Sequence, residues 1–209
     1  LKRDFPYLKI AMHTALLDET GAKGMESAGV DVAMTDVIGH QDTIREVYHL
    51  ERSIDDFEAT LQALRTTAMD VVPHIVIGLH YGRILGELNA LEMIARHDPD
   101  SLVLVVVMPF YAPKEKAFAT VDPSEIGEIF LAARARLGDK PVQLGCARPA
   151  GTHKMITDTY AAMAGLDGIA FPAEGAVALS RAIGRAVDQQ HACCSMVVDG
   201  VGGKITCAA

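Results

Sequence analysis

Tryptophan is absent from this chain, aromatic residues make up only 5% of it, and no apolar run approaches membrane-spanning length. The longest run, Leu102 to Met108, stops against Pro109, far short of the roughly 20 apolar residues that a spanning helix needs. The N-terminal LKRDFPYLKI has no unbroken apolar core of the signal-peptide kind. Excess positive charge is missing too. Lys and Arg number 19 against 27 Asp and Glu, a formal net charge of -8, which argues against electrostatic capture of nucleic acid or an anionic membrane. Cysteine is scarce: Cys146, Cys193, Cys194 and Cys207, with no C-x-x-C among them. That pattern supports no disulfide framework and fits a reducing cytoplasm.

What the chain does have is apolar mass. Half of its 209 residues are hydrophobic and the mean hydropathy is +0.20, enough for one large core and unlike a disordered chain. Six β-branched runs stand out: Leu8–Thr14, Val30–Val37, Val71–Ile77, Leu102–Met108, Val142–Cys146 and Gly168–Phe171. Their two-sided hydrophobicity predicts strands buried on both faces of a parallel sheet. Helical patterns separate them. In SIDDFEATLQAL, Ser53 and Asp56 have capping-box spacing, and Ile54, Phe57, Leu61 and Leu64 form an apolar stripe. DPSEIGEIFLAARARLGD opens on capping residues and ends at Gly138, while LLDETGAKGMESAG ends on Gly29. Strict β–α alternation implies parallel strands with right-handed crossovers. Six units in 209 residues fall short of the eight in a complete barrel. The expected architecture is therefore α/β, a partial TIM-type (β/α) barrel of about six parallel βα units over residues 1–190, followed by a tail, 191–209.

Ligands of α/β folds meet the C-terminal ends of the strands, and those ends gather His13, Thr14, Asp36, His40, His80, Tyr81, Arg148 and Glu174. Each has two readings. Asp36 could bind a ribose hydroxyl or cap a helix. Arg148 could grip a carboxylate or phosphate, or form a structural salt bridge. His80 could serve as an acid–base group or as a hydrogen-bonded loop histidine, with the ligand-facing rim as its expected place, and Tyr81 reads as packing. Gly78 and Gly82 allow close backbone approach or simply a turn. His74 and His80 stand six residues apart, about 20 Å if the strand runs through, so they cannot share an ion; His74, just after Pro73, reads as a core histidine. GVGGK near the C-terminus lacks P-loop spacing and reads as flexible tail. Cys193 and Cys194, with Cys207, could ligate zinc or an iron–sulfur cluster as thiolates, or remain unliganded.

Taken in order, GVDVAMTDVIG, TIREVYHLERSIDDFEATLQAL, VVPHIVIGLHYG, LVLVVVMPFYAP, PVQLGCARPAG, GIAFPAEGAV and ACCSM resemble the biotin synthase-related and lipoyl synthase-like branch of the radical S-adenosylmethionine superfamily, from about Leu8 to Met196. The resemblance implies S-adenosylmethionine contacts at Thr35 and Asp36, at Ile77, Gly78 and the neighbouring His80, and at Met108 and Phe110. It makes Arg148 the counterpart of an arginine near an auxiliary iron–sulfur cluster, for which Cys193 and Cys194 would be ligands. It implies sulfur insertion or cofactor assembly on a small molecule or carrier protein. The family's C-x₃-C-x₂-C loop, which holds its [4Fe–4S] cluster, is absent from this sequence, so the chain as written should not run radical chemistry. Two readings follow: the C-terminal part of a longer enzyme, consistent with a start at Leu1, or a cluster-less barrel that binds a ligand or supports a partner subunit. An ordinary barrel lyase or aldolase is the third class. In the cluster-less reading the first strand is an exposed edge, and a homo-oligomer or partner chain is expected to cover it.

Overall fold

The computed structural model describes residues 1–109 and 118–196 in full and the strand 204–208 by its backbone. Six strands, β1 (Ala11–Thr14), β2 (Val32–Asp36), β3 (Asp70–Ile77), β4 (Leu102–Val106), β5 (Val142–Leu144) and β6 (Gly168–Ala170), lie side by side in sequence order. Each pairs with its neighbour in parallel. The chain is thus an α/β protein with the six parallel βα units of a partial barrel. Helices α1 (Glu19–Ser27), α2 (Gln41–Glu46), α3 (Ile54–Leu64), α4 (Glu87–Arg96), α5 (Pro123–Leu137), α6 (Thr152–Met163) and α7 (Ala176–Ala182) make the crossovers.

Local signals account for the element ends. Ser53 and Asp56 form the capping box at the start of α3; Asp122 caps α5, Pro123 fills its first turn, and Gly138 ends it. Strand residues alternate between two environments. Ala33, Val71, Ile75, Ile77, Leu102, Leu104, Val142, Leu144 and Ile169 face the helices in the main core. Val32, Val72 and Val103 form a second, smaller cluster on the opposite, inner face, with Met34 and Val105 beside them.

Beyond α7, short strands β7 (Ala186–Gln190) and β8 (Lys204–Ala208) extend the sheet, with β8 inserted between β6 and β7. Between them the 3₁₀ turn Cys194–Met196 folds back over the inner face, packing Cys194 and Met196 on the inner valines. Most of the GVGGK motif lies outside the described residues; its lysine, Lys204, opens β8. Among the described residues β1 and β7 do not pair with each other, so the sheet stays open, with Met12 40% exposed on its β1 edge. No described helix is long and apolar enough to cross a membrane.

Candidate functional site

Three strand ends converge at the β1 side of the sheet. His13 on β1 and Asp36 at the end of β2 are inner-face residues, and Asp36 is in register with His74 on β3. His13 Nε2 lies 3.4 Å from Asp36 Oδ1. Tyr48, just beyond α2, donates its hydroxyl to Asp36 Oδ2 at 2.9 Å. The rings of His13 and His74 meet edge to face at 5.2 Å. A cleft of about 330 Å³ opens here, lined by His13, Thr14, Thr35, Asp36 and Tyr48 and by apolar Leu16, Leu50 and Phe57. That size and this mostly apolar wall with a few convergent polar groups suit a small organic molecule.

The electrostatics separate the two imidazoles. The Asp36 carboxylate beside His13 raises its pKa above the ordinary histidine value, with partial burial opposing. Burial alone would raise the Asp36 carboxyl, but hydrogen bonds from His13 and Tyr48 carry it below the ordinary carboxylate range. Burial, and then the charge of His13, depress His74 to about 4. Burial and the adjacent Asp36 raise the Tyr48 phenol. Hydrogen-bond logic also fixes the tautomers. His74 Nδ1 lies 3.1 Å from the Val72 carbonyl, which only accepts, so Nδ1 carries the proton and Nε2 accepts from Ser195 Oγ at 3.3 Å. The Asp36 carboxylate 3.4 Å from His13 Nε2 favours the tautomer with its proton there, which leaves Nδ1 as the basic nitrogen; the side chain is 45% exposed.

The other residues singled out in the sequence are placed differently. Thr35 lines the cleft but is buried. Ile77 faces the helices in the core. Gly78 has φ +76°, and a Cβ there would overlap Val121 Cγ2; its close approach is to the α5 entry, not to a ligand. His80, expected at the ligand-facing rim, is 3% exposed, with Thr43 Oγ1 3.1 Å from its Nδ1. Glu87 completes that structural loop: its carboxylate accepts from the backbone N–H of Gly78, Leu85 and Gly86 at 2.7–3.0 Å. The space between His80 and Asp36 is about 20 Å³, room for one water. His40 caps α2 through Nδ1, and Tyr81 donates to the Glu46 carbonyl. Met108 is half-buried, and Phe110 lies outside the described residues. His74, expected in the core, sits on the inner face beside His13.

Arg148 is a structural group. It is buried and bidentate to Asp158 at 2.7 and 3.0 Å, and its remaining N–H groups donate to the carbonyls of Gly145, Ala170 and Phe171. Its charge is thus already paired inside the core, with both side chains fully buried. Cys194 is half-buried, and burial with Cys193 alongside pushes its thiol up to about 11, so the free thiol is protonated near pH 7. Among the described residues no group of three His, Cys, Asp or Glu side chains could hold a metal ion. Tyr48 and Ser195, which complete the polar cluster, carry no sequence signal: one follows a six-residue helix and the other lies 121 residues from its partner.

Fold and site together define a parallel α/β partial barrel with an imidazole–carboxylate pair at its strand ends. No family model matches the chain, and no curated protein matches it. Among solved structures it is similar to phosphonopyruvate hydrolase, at 16% identity over 97% of this chain and 76% of that one, TM-score 0.49. A complex of that enzyme with oxalate and Mg²⁺ gives 14% identity, the same coverages and TM-score 0.49. A glycoside hydrolase family 30 subfamily 8 xylanase from Clostridium acetobutylicum gives 13% identity over 96% of this chain and 63% of that one, also at 0.49.

These findings overturn the resemblance drawn from the strand-end motifs. None of these three structures is a radical S-adenosylmethionine enzyme. The biotin or lipoyl synthase-like function is withdrawn on that ground, together with its alternative as a cluster-less supporting subunit. S-adenosylmethionine and the iron–sulfur clusters go with it. The motifs misled for a physical reason: β-branched runs ending in Gly, Pro and polar residues are what any parallel strand feeding a rim loop requires.

Proposed function

We propose that this chain is a proton-transferring enzyme acting on a small, largely apolar molecule, with His13 as general base, Asp36 as its orienting carboxylate and Tyr48 as the group that fixes Asp36. The observation that carries this reading is the 3.4 Å approach of His13 Nε2 to Asp36 Oδ1 at the mouth of the 330 Å³ cleft. A carboxylate on one ring nitrogen selects the tautomer whose other nitrogen can take a proton, and it stabilises the imidazolium that results. The raised pKa of His13 makes it a stronger base than a free imidazole, and Leu16, Leu50 and Phe57 supply apolar walls beside it. Substrate binding draws on those apolar walls, and His13 Nδ1 removes a proton from the carbon or oxygen placed over it.

The test needs no knowledge of the natural substrate. 5-Nitrobenzisoxazole is a flat apolar probe that a positioned base converts by taking its ring C–H proton while the N–O bond breaks, giving a nitrile and a phenolate. The expected result is turnover that rises with pH through the titration of His13, is lost in His13→Ala and is weakened in Asp36→Asn. Turnover no faster than that of His13→Ala overturns the reading.

A further inference from the structure

The inner face of the sheet holds a polar group that the described fold leaves unsatisfied. Gln143 stands in β5 between Val142 and Leu144, whose side chains enter the helix-covered core, so its own side chain lies on the inner face. It is 1% exposed, and its Nε2 has no hydrogen-bond partner among the described residues. On one side it is in register with Val103 of the inner apolar cluster. On the other it is in register with Gly168, which offers only backbone. The 3₁₀ turn Cys194–Met196 packs across β5 and β6 above it. An orphaned buried amide is rare and costly in folded proteins, and here it lies under a short segment fastened to β3 by the Ser195–His74 hydrogen bond.

We propose that the inner face over β5 and β6 is a binding site for a small uncharged molecule bearing an amide- or ketone-type carbonyl, whose oxygen accepts from Gln143 Nε2 beside the bare backbone of Gly168. The site is separate from the His13 cleft, whose lining does not include Gln143. Charge decides the ligand class. The Arg148 charge is already paired with Asp158 in the core, with further bonds to three backbone carbonyls. His74 is neutral near pH 7 and the Cys194 thiol is protonated. A carboxylate would be stripped of water with no counter-charge, whereas a neutral carbonyl loses far less and satisfies the amide. The ligand enters by displacing the turn, so it competes with the Ser195–His74 bond.

The experiment uses the full chain, uniformly ¹⁵N-labelled, with the Gln143 side-chain amide pair identified by its loss in Gln143→Leu, or in Gln143→Met if the first variant does not fold. N-Methylacetamide and sodium acetate are titrated separately at equal concentrations. The amide is expected to move that pair in a saturable way and acetate to leave it in place. In Ser195→Ala saturation is expected at lower N-methylacetamide concentration. No saturable movement with either probe overturns the site. An equal response to acetate overturns the uncharged ligand class, and an unchanged midpoint in Ser195→Ala overturns the displacement of the turn.

Discussion

His13 and His74 meet edge to face at 5.2 Å, yet their proton affinities are pulled in opposite directions. Asp36 holds the proton on His13, while burial and the charge on His13 keep His74 without a second one. Two imidazoles with separated titrations are the pattern expected where one group must exchange protons and its neighbour must not.

His13 should titrate above the ordinary imidazole value of about 6.5, read from its ring Cε1–H resonance in a histidine NMR titration. Asp36→Asn should bring the midpoint back toward that value. The sign for stability follows: a raised folded pKa adds stability that is fully present below about 6.5 and fades as pH climbs through the folded midpoint. A midpoint unmoved by Asp36→Asn would show that Asp36 does not hold the proton.

His74 gives the opposite dependence. With a folded pKa of about 4 and an unfolded value near 6.5, its contribution is present above about 6.5 and is lost as pH falls from there through 4. The linkage amounts to at most about 3 kcal/mol. Thermal unfolding followed from pH 7 to pH 4 should show this loss, and His74→Phe should flatten the slope over that window.

The buried Arg148–Asp158 pair should be intolerant of halves. Arg148→Met or Asp158→Asn each leaves an uncompensated partner and should cost about 3–5 kcal/mol in urea unfolding. The double replacement Arg148→Met/Asp158→Leu should recover much of that loss. Single variants within 1 kcal/mol of the parent, roughly the scale of an exposed pair, would contradict the assignment.

Glu87 should matter to stability more than its helix-start position suggests. Removing its carboxylate in Glu87→Ala strands three backbone N–H groups, each worth about 1–3 kcal/mol when buried and unmet. Even with water entering the loop, the loss should exceed about 2 kcal/mol in urea unfolding. A neutral substitution would mean that the 78–86 loop does not depend on Glu87.

The helix-facing half of the fold is the part that local sequence specifies. Val71 to Ile77 reads as a buried strand because every second side chain must meet helices, and it is one, over Asp70–Ile77. Ser53 with Asp56 announces the start of α3 as a matter of local hydrogen bonding. AVDQQ and KITCA announce nothing: β7 and β8 are five-residue strands without a sustained apolar run, and each pairs along an available sheet edge. The candidate site divides the same way. His13 and Asp36 could be singled out because strand ends carry chemistry in this class of fold. Tyr48, Ser195 and Gln143 matter only through contacts that the folded chain creates. Arg148 was open between an anion site and a salt bridge until its partner was known, and Asp158 lies on a helix one loop away.

Arg148 has a kinetic consequence as well as an energetic one. One guanidinium joins the end of β5, the helix α6 and the last residues of β6, so these three cannot separate without breaking it. Their amide protons should exchange with solvent together, through one opening event. The β1 edge, with a single neighbour, should open earlier and alone. The candidate base, His13, therefore stands on an edge strand that opens independently of the unit Arg148 ties together.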